Sequence, residues 1–155
     1  MTVSLHLPAP AGFTAFTNIC SVWIWIQSPL TPTIFNQIIN AANISGHGMS
    51  MGTRNGVVAN NNYTDTTYAE SATAIPFDRW TCLQYEMPSN TTGAIRMFVD
   101  GTELTDATLT KAMNQPAPSH VYLGLEWVGS PNGYPAADAW LDEIVIDTLP
   151  TTCAQ

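Results

Sequence analysis

Nowhere in this chain does an apolar pattern repeat about every 3.6 residues for long enough to bury one face of a helix. Its apolar residues instead fall in short alternating or β-branched runs, cut by proline, glycine and asparagine. Strands are expected at 3–7, 22–27, 33–39, 49–53, 56–59, 80–87, 94–99, 102–104, 120–128 and 140–147. Asn55-Gly56 between two of these runs predicts a tight hairpin, because both residue types accept positive φ. Asp100-Gly101 predicts another turn. The prolines sit between or at the ends of the runs, where the missing N–H breaks no ladder. The best helical stretch is 107–113, at most about two turns. Asn60-Asn61-Asn62 reads as the start of a polar, mobile loop running to about Ser71. Many short strands with such punctuation form a sandwich or barrel, and 155 residues suffice for one such domain, spanning 1–155.

Charge narrows the partners. Four basic residues face twelve acidic ones, for a net charge of −8. Nucleic-acid binding draws on lysine and arginine displacing counterions from phosphate, so nucleic acid is excluded, and anionic membrane surfaces are disfavoured on the same ground. The longest apolar run, 19–26, is too short to insert across a bilayer. No leader-like segment follows Met1. The three cysteines, Cys20, Cys82 and Cys153, do not have zinc-ligand spacing. Two states remain open: a Cys82–Cys153 bridge tying a central strand to the C-terminal tail, or three reduced, buried thiols.

From about Ser21 onward the succession of blocks resembles the laminin G-like branch of the concanavalin A-like lectin/glucanase superfamily. S-V-W-I-W-I-Q-S-P, T-I-F-N-Q-I-I-N, G-M-S-M-G-T-R-N-G-V-V and I-P-F-D-R-W-T-C-L-Q-Y-E-M follow one another in the family's order. G-A-I-R-M-F-V-D-G-T-E-L, V-Y-L-G-L and A-W-L-D-E-I-V-I-D complete it. The pairing of W-T-C-L-Q with a cysteine after the last strand is also similar to secreted bacterial sandwiches in which those cysteines pair; Gln84 stands where that group carries an acid. The resemblance implies an all-β antiparallel jelly roll with one curved sheet, ligands on its concave face or rim loops, and a secreted, cell-surface or periplasmic location. It also makes calcium a candidate cofactor, with Asp138 and Asp142 the foremost ligands and Asp65 and Asp100 behind them.

Strand alternation sorts the side chains. Taking Leu83, Tyr85, Met87, Met97, Val99, Val121 and Leu123 as core leaves Gln84, Glu86, Arg96, Phe98, Tyr122 and Glu126 on the opposite side. Aromatic planes among fixed donors and acceptors are what a sugar requires, so these six are the candidate oligosaccharide or polysaccharide site. Trp127 and Tyr134 are added as a rim platform, while Trp23, Trp25 and Trp80 are expected in the core. The competing view of the same face is an ordinary outer surface on which Glu86 and Arg96 form an ion pair.

Catalytic signatures are absent. Glycosidases need two flanking acids, and the adjacent Asp142 and Glu143 point to opposite faces. The lyase strands R-x-E-x-R and Q-I-H are missing, although Gln37, His47, Arg54, Arg96, His120 and Tyr122 are residues of lyase type. The expected function is therefore non-catalytic glycan binding. The rivals are a structural, adhesion or homo-oligomerising domain without a small ligand, and a lyase on an acidic polysaccharide.

Overall fold

The computed structural model describes residues 4–8, 17–27, 35–43, 48–88, 93–109, 119–128, 137–147 and 153, with side chains omitted for 4–8, 17–20, 88, 127 and 128. These residues form eleven strands: β1 Ser4–Pro8, β2 Thr17–Gln27, β3 Phe35–Ala42, β4 Gly48–Arg54, β5 Val57–Asn62, β6 Thr67–Ala74, β7 Trp80–Pro88, β8 Arg96–Val99, β9 Thr102–Glu103, β10 His120–Val128 and β11 Asp138–Asp147. A six-stranded sheet runs β1-β10-β3-β4-β5-β6 and a five-stranded sheet runs β11-β2-β7-β8-β9. Every pairing is antiparallel. The fold is an all-β jelly-roll sandwich.

Between the sheets lie the apolar halves of the alternating strands. Val22, Ile24 and Ile26 of β2 and Leu83, Tyr85 and Met87 of β7 face Ile39, Met49, Met51, Val58 and Leu123 of the other sheet, all buried. The β4–β5 hairpin turns on Asn55 at φ 54° and Gly56 at φ 82°, the left-handed pair that the Asn-Gly dipeptide supplies without strain.

Three expectations are corrected. Residues 60–71 are not a loop: Asn60–Asn62 finish β5, a turn spans 63–66, and Thr67 opens β6. Asn60 and Asn62 are buried and serve hydrogen bonds rather than solvation. Asn60 is 0% exposed and bonds across the interior, and Asn62 Oδ1 accepts from the Thr64 N–H at 3.2 Å. The helix at 107–113 is replaced by a single 3₁₀ turn, Thr105–Ala107, with residues 110–118 outside the described set. The tryptophans of β2 and β7 are not core. Trp25 pairs with both Trp140 and Trp80, forming a row on the outer face of the five-stranded sheet, and Trp80 and Trp140 are 40% and 49% exposed. In V-W-I-W-I both alternating sets are apolar, and the isoleucines took the interior because they pack against the opposite sheet without a ring nitrogen to satisfy.

Cys82 and Cys153 are joined by a disulfide, with 6.0 Å between their Cα atoms and a sequence separation of 71. Cys82 points away from the core, so the bridge places Cys153 over the outer face of β7. Gln84 is buried beneath it, its Oε1 lying 3.2 Å from Cys153 Sγ.

Candidate functional site

The six residues expected to share one face divide between two. Gln84, Glu86, Arg96 and Phe98 lie on β7 and β8 of the five-stranded sheet, whereas Tyr122 and Glu126 lie on β10 of the six-stranded sheet. Alternation tells which side of its own strand a residue takes. It does not tell which sheet the strand joins, and the two outer faces of a sandwich point in opposite directions.

The first group is committed internally. Arg96 donates from Nε and Nη2 to both oxygens of Glu103, at 2.9 and 2.7 Å, and from Nη1 to Glu86 Oε2 at 2.8 Å. Its guanidinium also stacks 5.1 Å from the centre of the Phe98 ring. The fork to Arg96 holds the Glu103 carboxyl below its ordinary value, while burial pushes Glu86 up despite the same cation. With Gln84 under the disulfide, these four side chains are a cross-strand network with little left to offer a ligand. Trp127 lies on β10, its side chain outside the described set, as is Tyr134 entirely.

The second group has neighbours that strand alternation did not reveal. Register places Tyr122, Asn40, Ser50, Asn61 and Tyr68 in one row across β10, β3, β4, β5 and β6. Four strand intervals make that row roughly 19 Å long. Alongside it, Glu126 pairs with Gln37. A bulge at β3 between Gln37 and Ile39 brings Gln37 and Asn40, three apart in sequence, onto the same face. Tyr63, from the β5–β6 turn, folds back over this face and donates to Asn40 Oδ1 at 2.8 Å; Asn40 Nδ2 donates in turn to Gln37 Oε1 at 3.0 Å. Gly48 makes room for that return, since a methyl there would strike the Tyr63 hydroxyl and the Ala41 carbonyl.

Gln37, Asn40, Tyr122, Gly124 and Glu126 line a shallow hollow of about 140 Å³ with its open side included. Two polar atoms on this face, Ser50 Oγ and Glu126 Oε2, are buried and have no hydrogen-bond partner among the described residues. Burial pushes the Tyr63 hydroxyl up to about 12, with the nearby Glu126 carboxylate and Tyr122 acting in the same direction. At the far end of the row Tyr68 donates to Glu70 at 2.6 Å, and Arg54 lies 4.8 Å over the Tyr68 ring and 3.9 Å from Glu70. The arrangement can grip a hydroxyl-rich molecule: aromatic rings at both ends, donors and acceptors between them.

Among the described residues no three His, Cys, Asp or Glu side chains converge as a metal-ligand set. Asp138 and Asp142 do not fit one calcium ion, because four residues along an extended strand separate them by about 13 Å. Of the other acids, Asp100 accepts from the Cys82 N–H and from Arg79, and Asp65 holds Thr67 in the turn.

No protein-family model and no curated protein matches the chain. Solved structures do. The cellulose induced protein Cip1 superposes with a TM-score of 0.71 at 16% identity, over 92% of this chain and 72% of that one. Botulinum neurotoxin type C, whose cell entry depends upon interaction with two ganglioside molecules, gives 0.64 at 10% identity over 92% of this chain and 36% of that one. The serotype D binding domain gives 0.64 at 12%, over 96% and 38%. The chain thus spans little more than a third of the toxin chains. These likenesses carry the fold alone, an all-β jelly-roll sandwich.

Proposed function

We propose that this chain is a non-catalytic module that binds a neutral oligosaccharide across the outer face of the six-stranded sheet, along the row from Tyr122 to Tyr68. The observation that carries the reading is the row itself: Tyr122 and Tyr68 at its ends, Asn40, Ser50 and Asn61 between them, and the Tyr63–Asn40–Gln37 relay beside it. Sugar rings stack on aromatic planes, and sugar hydroxyls both donate to and accept from polar side chains set between them. A sugar ring would rest on Tyr122 and lie over the shallow hollow rather than enter it. The ganglioside-dependent toxin among the fold's neighbours supports a glycan ligand.

Neutrality follows from charge. Glu126 is the carboxylate of the hollow, and the cation at the row's end, Arg54, is shared with Glu70. A uronate would meet repulsion in the hollow. The single acid there also argues against hydrolysis, which needs two, and a tyrosine held near 12 is a poor base for a lyase. The disulfide favours a site of action outside the reducing cytosol.

The test is titration with neutral and uronate oligosaccharides, read by tryptophan fluorescence and thermal shift. Saturable binding of a neutral glycan should weaken at least about tenfold, roughly 1.4 kcal/mol, in Asn40→Ala and in Tyr122→Ala, and be unchanged in Arg96→Ala. Binding of uronates alone, no binding, or loss in Arg96→Ala with Asn40→Ala unaffected would overturn the reading.

A further inference from the structure

We propose that β11 binds an extended basic segment of a partner protein as an added strand, read by Asp138, Trp140 and Asp142. β11 is the edge of the five-stranded sheet, and among the described residues it pairs only with β2. Ile144, Leu141 and Ala139 turn inward onto the core, while Asp138, Trp140 and Asp142 are exposed on the outer face. Alternate residues of a strand recur about every 6.7 Å. An added strand presents its own alternate side chains on the same face at the same repeat, so lysines or arginines at every second position meet a carboxylate, an indole and a carboxylate in turn. Tryptophan is the best aromatic partner for a cation.

The surroundings favour this occupant. The row continues inward from Trp140 to Trp25 and Trp80, the latter two in edge-to-face contact at 6.1 Å and 76°, which gives the long aliphatic stems of basic residues an apolar floor. Arg79, the sequence neighbour of Trp80, is already paired with Asp100 at 2.6 Å. A second copy of the chain is disfavoured, because antiparallel pairing of two β11 edges sets acids against acids. Between Asp142 and Val145 the ladder is interrupted, with Glu143 at φ 46°, so the usable edge is the stretch 138–142.

The experiment uses the intact, disulfide-bonded protein and a peptide alternating threonine with lysine, beside its threonine–glutamate counterpart and a neutral oligosaccharide. Tryptophan fluorescence reports affinity, and amide hydrogen exchange reports strand addition. The lysine peptide should bind saturably and slow exchange in 138–142, and the glutamate peptide should not bind. Affinity should fall about tenfold in the double variant Asp138→Asn with Asp142→Asn and in Trp140→Ala. The matched double variant Asp65→Asn with Glu70→Gln, on the other sheet, should leave it unchanged. Equal losses in both double variants would reduce the effect to net charge and overturn the proposal. So would absence of peptide binding, unchanged exchange in 138–142, or a fluorescence response to the oligosaccharide that Trp140→Ala removes.

Discussion

The hydroxyl of Tyr85 on β7 donates a 2.8 Å hydrogen bond to the amide oxygen of Asn60 on β5, so one polar contact ties the two sheets together through the middle of the core. Both residues are 0% exposed. Asn60 uses its other end as well, donating to the backbone oxygens of Ala107 at 3.2 Å and Ile95 at 3.4 Å. Tyr85→Phe leaves one buried acceptor unmet and should lower stability by about 1–3 kcal/mol. Asn60→Ala orphans the Tyr85 hydroxyl and removes the donor to the Ala107 carbonyl, while Ile95 keeps its bond from the Leu109 N–H, and it should cost more than Tyr85→Phe, as urea midpoints will show. Alkali gives the same bond a pH signature. Burial raises the Tyr85 hydroxyl well above 10.0 and Tyr63 to about 12. Because the folded state holds both protons more tightly, their contribution is complete below pH 10 and is lost as pH rises toward 12. Tyrosinate absorbance should therefore lag behind model tyrosine until the protein unfolds, and Tyr63→Phe should remove part of the lag.

The disulfide makes a second prediction. With three cysteines and two in the bridge, one thiol, Cys20, should titrate under denaturing conditions. Opening the bridge frees a loop closed over a sequence separation of 71 and should cost about 4 kcal/mol in the chain-entropy model, so Cys153→Ser should shift the urea midpoint strongly while Cys20→Ser shifts it little. Cys153 also sits against Gln84, its Sγ 3.2 Å from Gln84 Oε1. Cys153→Ser should expose that face and raise its hydrogen exchange, which a purely entropic cross-link would not do.

How the chain folds was legible wherever one alternating set was clearly more apolar than the other. Leu83-Gln84-Tyr85-Glu86-Met87 reads directly as a strand with one core face, and Asn55-Gly56 reads directly as the turn between β4 and β5. Where both sets were apolar, as around Trp23 and Trp25, hydropathy could not choose a face, and the choice fell to packing against the opposite sheet. The candidate site was hidden by two long-range facts. β10 joins the six-stranded sheet, which separates Tyr122 from Arg96, and a bulge at Ile38 turns Asn40 to the side of Gln37. Strict alternation puts residues three apart on opposite faces, so Gln37 drew notice only for its residue type, and Asn40 and Tyr63 drew none.

The Arg96 network predicts an asymmetry between its two acids. Glu103 receives the bidentate fork and is held below 4.5, whereas Glu86 has a single bond and is raised above 4.5 chiefly by burial. The signs are opposite. Glu103 is bound more tightly as carboxylate in the folded state, so its contribution is present above pH 4.5 and is lost as pH falls through its lowered value. Glu86 ionises less readily when folded, so its charge weighs slightly against the fold at neutral pH and its protonation does not. Glu103→Gln should therefore lower stability at neutral pH, by up to about 1 kcal/mol for so exposed a pair, and flatten the acid limb of a stability–pH profile. Glu86→Gln should cost less than Glu103→Gln at neutral pH and leave that limb in place. Arg96→Lys keeps the charge but cannot make the fork, and should resemble Glu103→Gln rather than the native protein. Equal effects of the two glutamate substitutions in urea unfolding across this pH range would show that the fork confers no advantage over a single bond.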